Sequence, residues 1–137
     1  MVIKEKKDYI CFWDAYGFAA AKGNIQITKI LIDNGFQLNK RNKGLMDGCT
    51  QFHQKGILEW IKREHSYLLK AKIDEIIKYE NFDVFDIYIQ NCYNIDHPIN
   101  RRGKTPLHYA MELNRKTMGE LLISFGASIN MKDIIDR

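Results

Sequence analysis

The sequence predicts an all-α fold of packed helix–turn–helix units, and three observations carry that expectation. Apolar residues recur at helical rather than alternating spacing, as in Leu68, Leu69, Ile73, Ile76 and Ile77. Glycine and asparagine punctuate these runs at Gly23-Asn24, Asn34-Gly35 and Gly126, where helices would stop. The chain also repeats itself: a single offset lays Gly23 on Asn114, Gly35 on Gly126 and Asn39 on Asn130.

The best-formed unit is Gly103-Lys104-Thr105-Pro106-Leu107-His108-Tyr109-Ala110, followed by the apolar run Leu121-Leu122-Ile123 and Gly126. Thr105 suits an N-cap, because its hydroxyl can accept from an unpaired N–H of the first turn. Pro106 suits the first helical position, where φ is pre-set and no N–H is needed. Gly126 is placed to be the left-handed residue that ends a second helix. The stretch Thr105-Pro106-Leu107-His108-x-Ala110 resembles the signature of the ankyrin-repeat family, whose period is about 33 residues. The resemblance implies a solenoid of about four helix–turn–helix units with short hairpin fingers.

Taken in order, the chain reads as a single domain over 1–137. Residues 1–12 are a polar, basic lead-in. Repeat 1 spans 13–42: Trp13, Tyr16 and Ala20, then Ile27, Ile30 and Leu31, mark its two helices. Its second half resembles an ankyrin repeat, but Asp14-Ala15-Tyr16-Gly17 stands where the signature would be, as suits a degenerate capping unit. Repeat 2, at 43–66, is degenerate and has two competing registers. Gly48-Cys49-Thr50-Gln51-Phe52-His53 resembles the signature start, whereas Gly56-Ile57-Leu58-Glu59-Trp60 resembles the start of a second helix. Either the first helix is short or the loop through Lys43–Asp47 has grown. Repeat 3, at 67–99, is degenerate, with Glu80–Ile89 as its second helix. Repeat 4 spans 100–133. From Gly48 to Gly103 the chain is about eleven residues short of two periods of about 33, so a hairpin near 63–70 should be shortened or absent.

Composition excludes several function classes. The 137 residues are 45% hydrophobic and 28% charged, ordinary values for a folded domain. No apolar run approaches the roughly 20 residues that span a bilayer, and Met1–Asp8 has no apolar core of a secretory signal. Three cysteines, Cys11, Cys49 and Cys92, form no CxxC pair. That pattern suggests neither a disulfide framework nor a zinc knuckle, and fits a reducing cytoplasmic or nuclear compartment. Gly23, Gly35, Gly44, Gly48 and Gly56 never fall as a phosphate-binding loop, so no cofactor is expected.

Catalytic constellations are likewise missing. His53, His65, His97 and His108 have no partner at H-x-x-x-H or H-E-x-x-H spacing, so no metal site is expected. The resemblance makes His108 a structural hydrogen-bonder between adjacent repeats. Cys49, in a turn beside Asp47-Gly48, is the cysteine expected to be exposed, and with His53 it is the only candidate for thiol chemistry. Pairs such as Asp83/Asp86 and Asp74/Glu75 read as solvated helix faces. The expected protein is not an enzyme.

Two basic clusters are more informative. Lys40-Arg41-Asn42-Lys43 closes the first unit and Arg101-Arg102-Gly103-Lys104 opens the last. The resemblance places both on fingers bordering a concave binding face, with Phe52 and Tyr109 as aromatic anchors. The expected partner is a protein with an acidic surface, reached by electrostatic steering. The competing reading is a solvated loop tip. A net charge of +4 and seventeen interspersed Asp and Glu rank nucleic acid below protein. At the C-terminal end, Met111, Leu113, Met118 and Leu122 are expected to leave an uncapped surface that docks the chain into a larger assembly.

Overall fold

The computed structural model describes residues 15–35, 43–92 and 94–132, with the Lys43 side chain excepted. All the regular structure among those residues is helical, with no strand: α1 (Ala15–Ala21), α2 (Ile25–Asp33), α3 (Lys43–Phe52), α4 (Lys55–Glu64), a 3-10 turn (Ser66–Leu68), α5 (Ile73–Tyr79), α6 (Phe82–Gln90), α7 (Pro106–Glu112) and α8 (Lys116–Ser124). The helices pair as four hairpins. The chain divides into two compact units, 1–70 and 71–137.

One turn chemistry builds every hairpin. A left-handed residue follows the first helix: Gly23 (φ +66°), His53 (+53°), Glu80 (+49°) and Asn114 (+56°). The next N–H then reaches back five residues to a helix carbonyl. Asn24 donates to Ala19 at 3.0 Å, Gln54 to Cys49 at 3.2 Å, Asn81 to Ile76 at 3.1 Å and Arg115 to Ala110 at 2.8 Å. This satisfies carbonyls that a helix end would otherwise leave unpaired. Gly35 (+87°) and Gly126 (+93°) end the second helices of the first and last hairpins, where the common offset places them.

In the first unit, α1 lies close against α3. A Cβ on Gly48 would stand 2.9 Å from both the Ala20 Cβ and the Gly17 carbonyl, so glycine permits this approach. Tyr16, Ala19, Ala20, Leu45, Met46, Cys49, Ile57, Leu58 and Ile61 form the core. Trp60 is buried too, and its indole N–H donates to Glu64 at 2.9 Å. In the second unit the core is Ile73, Ile76, Ile77, Val84, Phe85, Leu107, Ala110, Met118 and Leu122. Asn81 caps α6 by accepting from the Val84 N–H at 3.1 Å.

The second hairpin corrects the sequence reading. Gly48–His53 is not a turn and cap: α3 runs continuously from Lys43 to Phe52. Leu45, Met46 and Cys49 form its buried stripe, so the segment that one of the two sequence alternatives made an enlarged loop is the helix itself. Thr50 is mid-helix, and its hydroxyl donates to the Met46 carbonyl at 2.8 Å. The turn falls at His53, ahead of both registers read from the sequence, and Gly56 lies inside α4. Leu68 likewise belongs to the 3-10 turn, not to α5. Residues 65–72 contain only that turn between helices, whereas 94–105 form a finger without helix.

Candidate partner-binding surface

The finger between α6 and α7 is held by its own backbone and by Asn100. The Ile99 N–H donates to the Lys104 carbonyl at 2.8 Å, closing the loop. Asn100 Oδ1 accepts from the N–H groups of Arg102 (3.0 Å) and Lys104 (3.1 Å), and Gly103 takes φ +79° to complete the reversal. Lower on the finger, Asp96 Oδ1 accepts from the Ser128 N–H at 3.0 Å, tying the loop to the segment after α8.

The Thr105–His108 motif anchors the base of this finger. Thr105 is buried and accepts from the His108 N–H at 3.3 Å, with Pro106 in the first turn. His108 Nδ1 in turn accepts from the Thr105 N–H at 3.0 Å. That leaves Nε2 to carry the proton and donate to the Met131 carbonyl at 2.7 Å. A single imidazole thus joins the start of α7 to the chain beyond α8.

At the tip, Arg101 and Arg102 are exposed and make no ion pair among the described residues. Lys104 differs: its ammonium pairs with Glu112 on α7. Tyr109 is half-buried on α7. Phe52 is exposed but belongs to α3 in the other compact unit. Lys40 and Arg41, and the Lys43 side chain, lie outside the described residues. The structure therefore brings together Arg101, Arg102 and Lys104, with Tyr109 one turn into α7. Sequence reasoning missed Asn100, although Asn-x-x-Gly is a turn signal, and missed the Glu112 that neutralises Lys104.

A second surface lies on the last hairpin, where an open groove of about 270 Å³ has an apolar floor of Leu107, Ala110, Met111, Gly119 and Ile123 and a polar edge of Asn114, Arg115, Lys116 and Glu120. Met111 is 71% exposed and Ile123 48%. Met118 and Leu122, expected at this surface, are instead fully buried. They face the interior because the helix phase that hides them turns Ile123 outward.

The thiol candidate is also corrected. Cys49 is only 1% exposed, in the stripe of α3 against the core. Burial pushes its thiol up to about 12, the opposite of what a nucleophile needs. No group of three or more His, Cys, Asp or Glu able to hold a metal occurs among the described residues. None of their helices is long and apolar enough to cross a membrane.

The turn, cap and histidine geometry at 103–131 now has a counterpart among known proteins: the family model described as the ankyrin repeat matches residues 102–134. The chain carries an ankyrin repeat. It is also 29% identical over 119 residues to an ankyrin repeat protein of fowlpox virus (strain NVSL), covering 80% of this chain. The aligned part spans 63% of that relative's length. Ankyrin repeats are in general protein–protein interaction modules and not enzymes. The all-helical hairpins described above accord with that repeat architecture.

Proposed function

We propose that the chain is a non-enzymatic protein-binding module of about four ankyrin-type hairpins, and that the finger at 94–105 meets an acidic surface on its partner. The observation that carries this reading is the pair Arg101 and Arg102, exposed on a loop fixed by Asn100 and without an ion pair among the described residues. A preorganised loop loses little conformational freedom on binding, and guanidinium groups favour carboxylates geometrically. Lys104 serves the loop through Glu112, while Arg101 and Arg102 face the partner. Lys40, Arg41 and Lys43 are the corresponding basic cluster of the first unit, with Phe52 and Tyr109 as apolar contacts. Acidic residues on and beside the finger, Asp96 and Glu112, argue against a nucleic-acid groove. A reducing compartment suits Cys49 and Cys92, which form no disulfide.

Affinity capture from the native lysate tests the reading. The chain should recover a partner that elutes with rising salt, and Arg101→Glu with Arg102→Glu should lose it while retaining the helical circular dichroism. Undiminished capture by that variant contradicts the reading.

A second reading is favoured by the exposed Met111 and Ile123 of the α7–α8 groove: a structural subunit docked through its last hairpin. Such a contact would survive high salt and be lost in Ile123→Asp.

A further inference from the structure

Within each unit, one side chain ties neighbouring turns together. Gln54, which follows the left-handed His53, donates through Nε2 to the Ala21 carbonyl at 2.8 Å. Arg115, which follows the left-handed Asn114, donates through Nη2 to the Lys78 carbonyl at 2.7 Å. In both cases the acceptor stands two residues before the left-handed residue of the preceding hairpin, Gly23 or Glu80.

The first and last hairpins each carry half of another such pair. In the last, the corresponding acceptor is the Glu112 carbonyl, to which nothing donates among the described residues. In the first, the corresponding donor is Asn24. Its Oδ1 accepts from the Ile27 N–H at 3.0 Å, and its Nδ2 has no acceptor among the described residues. The apolar surfaces match this polarity. The last hairpin presents the groove of Leu107, Ala110, Met111, Gly119 and Ile123. The first leaves Ile27 and Ile30 at 45% and 57% exposure, and α2 buries only Thr28. An apolar knob and an apolar groove, each beside one half of a recurring hydrogen bond, are more than scattered surface hydrophobes.

We propose that the chain self-associates head to tail: the first hairpin of one copy seats on the α7–α8 groove of the next, with Asn24 Nδ2 donating to the Glu112 carbonyl. This rests on the end-docking reading above and names its partner as a second copy. The contact is heterologous, so it does not close at two copies and grows with concentration.

Sedimentation equilibrium of the full chain over a hundredfold concentration range tests it. The average mass should rise above the monomer value. Ile30→Asp and Ile123→Asp, both at exposed positions, should each hold the chain at monomer with unchanged circular dichroism. Mixed one to one, they should form a dimer and nothing larger, because one intact head meets one intact groove. A native chain that stays monomeric throughout, or variants that associate like the native chain, overturns the proposal. If the native chain is monomeric and Ile123→Asp instead loses a different captured protein, self-association fails while end-docking stands. If Ile123→Asp alters neither mass nor capture, both fail.

Discussion

Arg115 Nη2 holds the Lys78 carbonyl at 2.7 Å, joining the turn of the last hairpin to the turn before it. Nη1 also lies 3.8 Å from Glu80 Oε2. Because the donor is charged and the acceptor is a turn carbonyl, the bond should be worth about 1.5–3 kcal/mol before allowance for exposure. Arg115→Ala should lower unfolding stability by about 1–2 kcal/mol, and Arg115→Gln should recover part of that. Urea midpoints measure both. No loss in Arg115→Ala would deny the clamp any role in stability.

The equivalent clamp in the first unit depends on Gly23. A Cβ there would fall 2.4 Å from Gln54 Oε1, and its φ of +66° already disfavours a side chain. Gly23→Ala should therefore be costly, about 1–3 kcal/mol, and part of that cost should vanish in the Gln54→Ala background. A double-mutant cycle measures the coupling; strict additivity would mean that only the backbone conformation matters.

Gly48 and Gly56 make a matched pair. A Cβ on Gly48 would meet the Ala20 Cβ and the Gly17 carbonyl at 2.9 Å, whereas nothing lies within 4 Å of one on Gly56. Gly48→Ala should destabilise by about 1–3 kcal/mol through overpacking. Gly56→Ala, in the exposed first turn of α4, should stabilise by about 0.5–1 kcal/mol through helix propensity. Thermal melts that reversed this order would contradict the α1–α3 packing.

His108→Ala removes the acceptor of the Thr105 N–H and the donor to the Met131 carbonyl together. A cost of about 1–3 kcal/mol is expected, with faster amide exchange at Thr105. Unchanged exchange there would show that the imidazole does not hold the start of α7.

Burial raises the Cys49 thiol from 9.0 to about 12. The folded state therefore keeps a proton that the unfolded state releases over that interval. The contribution is fully present below pH 9 and is lost as pH rises toward 12. Cys49→Ala should flatten the stability profile in that window, and native Cys49 should react with a thiol reagent only on unfolding. Rapid native labelling would contradict its burial.

What the sequence made legible follows from how local each signal is. Thr105, Pro106, Gly126 and the Gly23–Asn114 correspondence are set within a few residues, by caps and by φ, and the structure places them in those roles. The second hairpin was misread because its turn uses His53, a residue type that does not announce a left-handed conformation. The buried Cys49 and Thr50 read as turn residues for a different reason: Gly48 beside them looks like a turn glycine but marks a close helix crossing. At the candidate site the arginines were visible as charge. Their distinction from Lys104 was not, because Glu112 reaches Lys104 only once α7 is formed. Asn24 and Arg115 already correspond under the sequence offset, but Gln54 joins them only when the turns are aligned by backbone.

The most direct test of the central claim is a salt titration of affinity for the captured partner, comparing the native chain with Arg101→Gln/Arg102→Gln and with Lys104→Gln. The account predicts that the double arginine variant loses tenfold or more in affinity and most of the salt dependence, while Lys104→Gln changes affinity far less. Equal losses from both variants, or no salt dependence in the native chain, would contradict a finger that binds through Arg101 and Arg102.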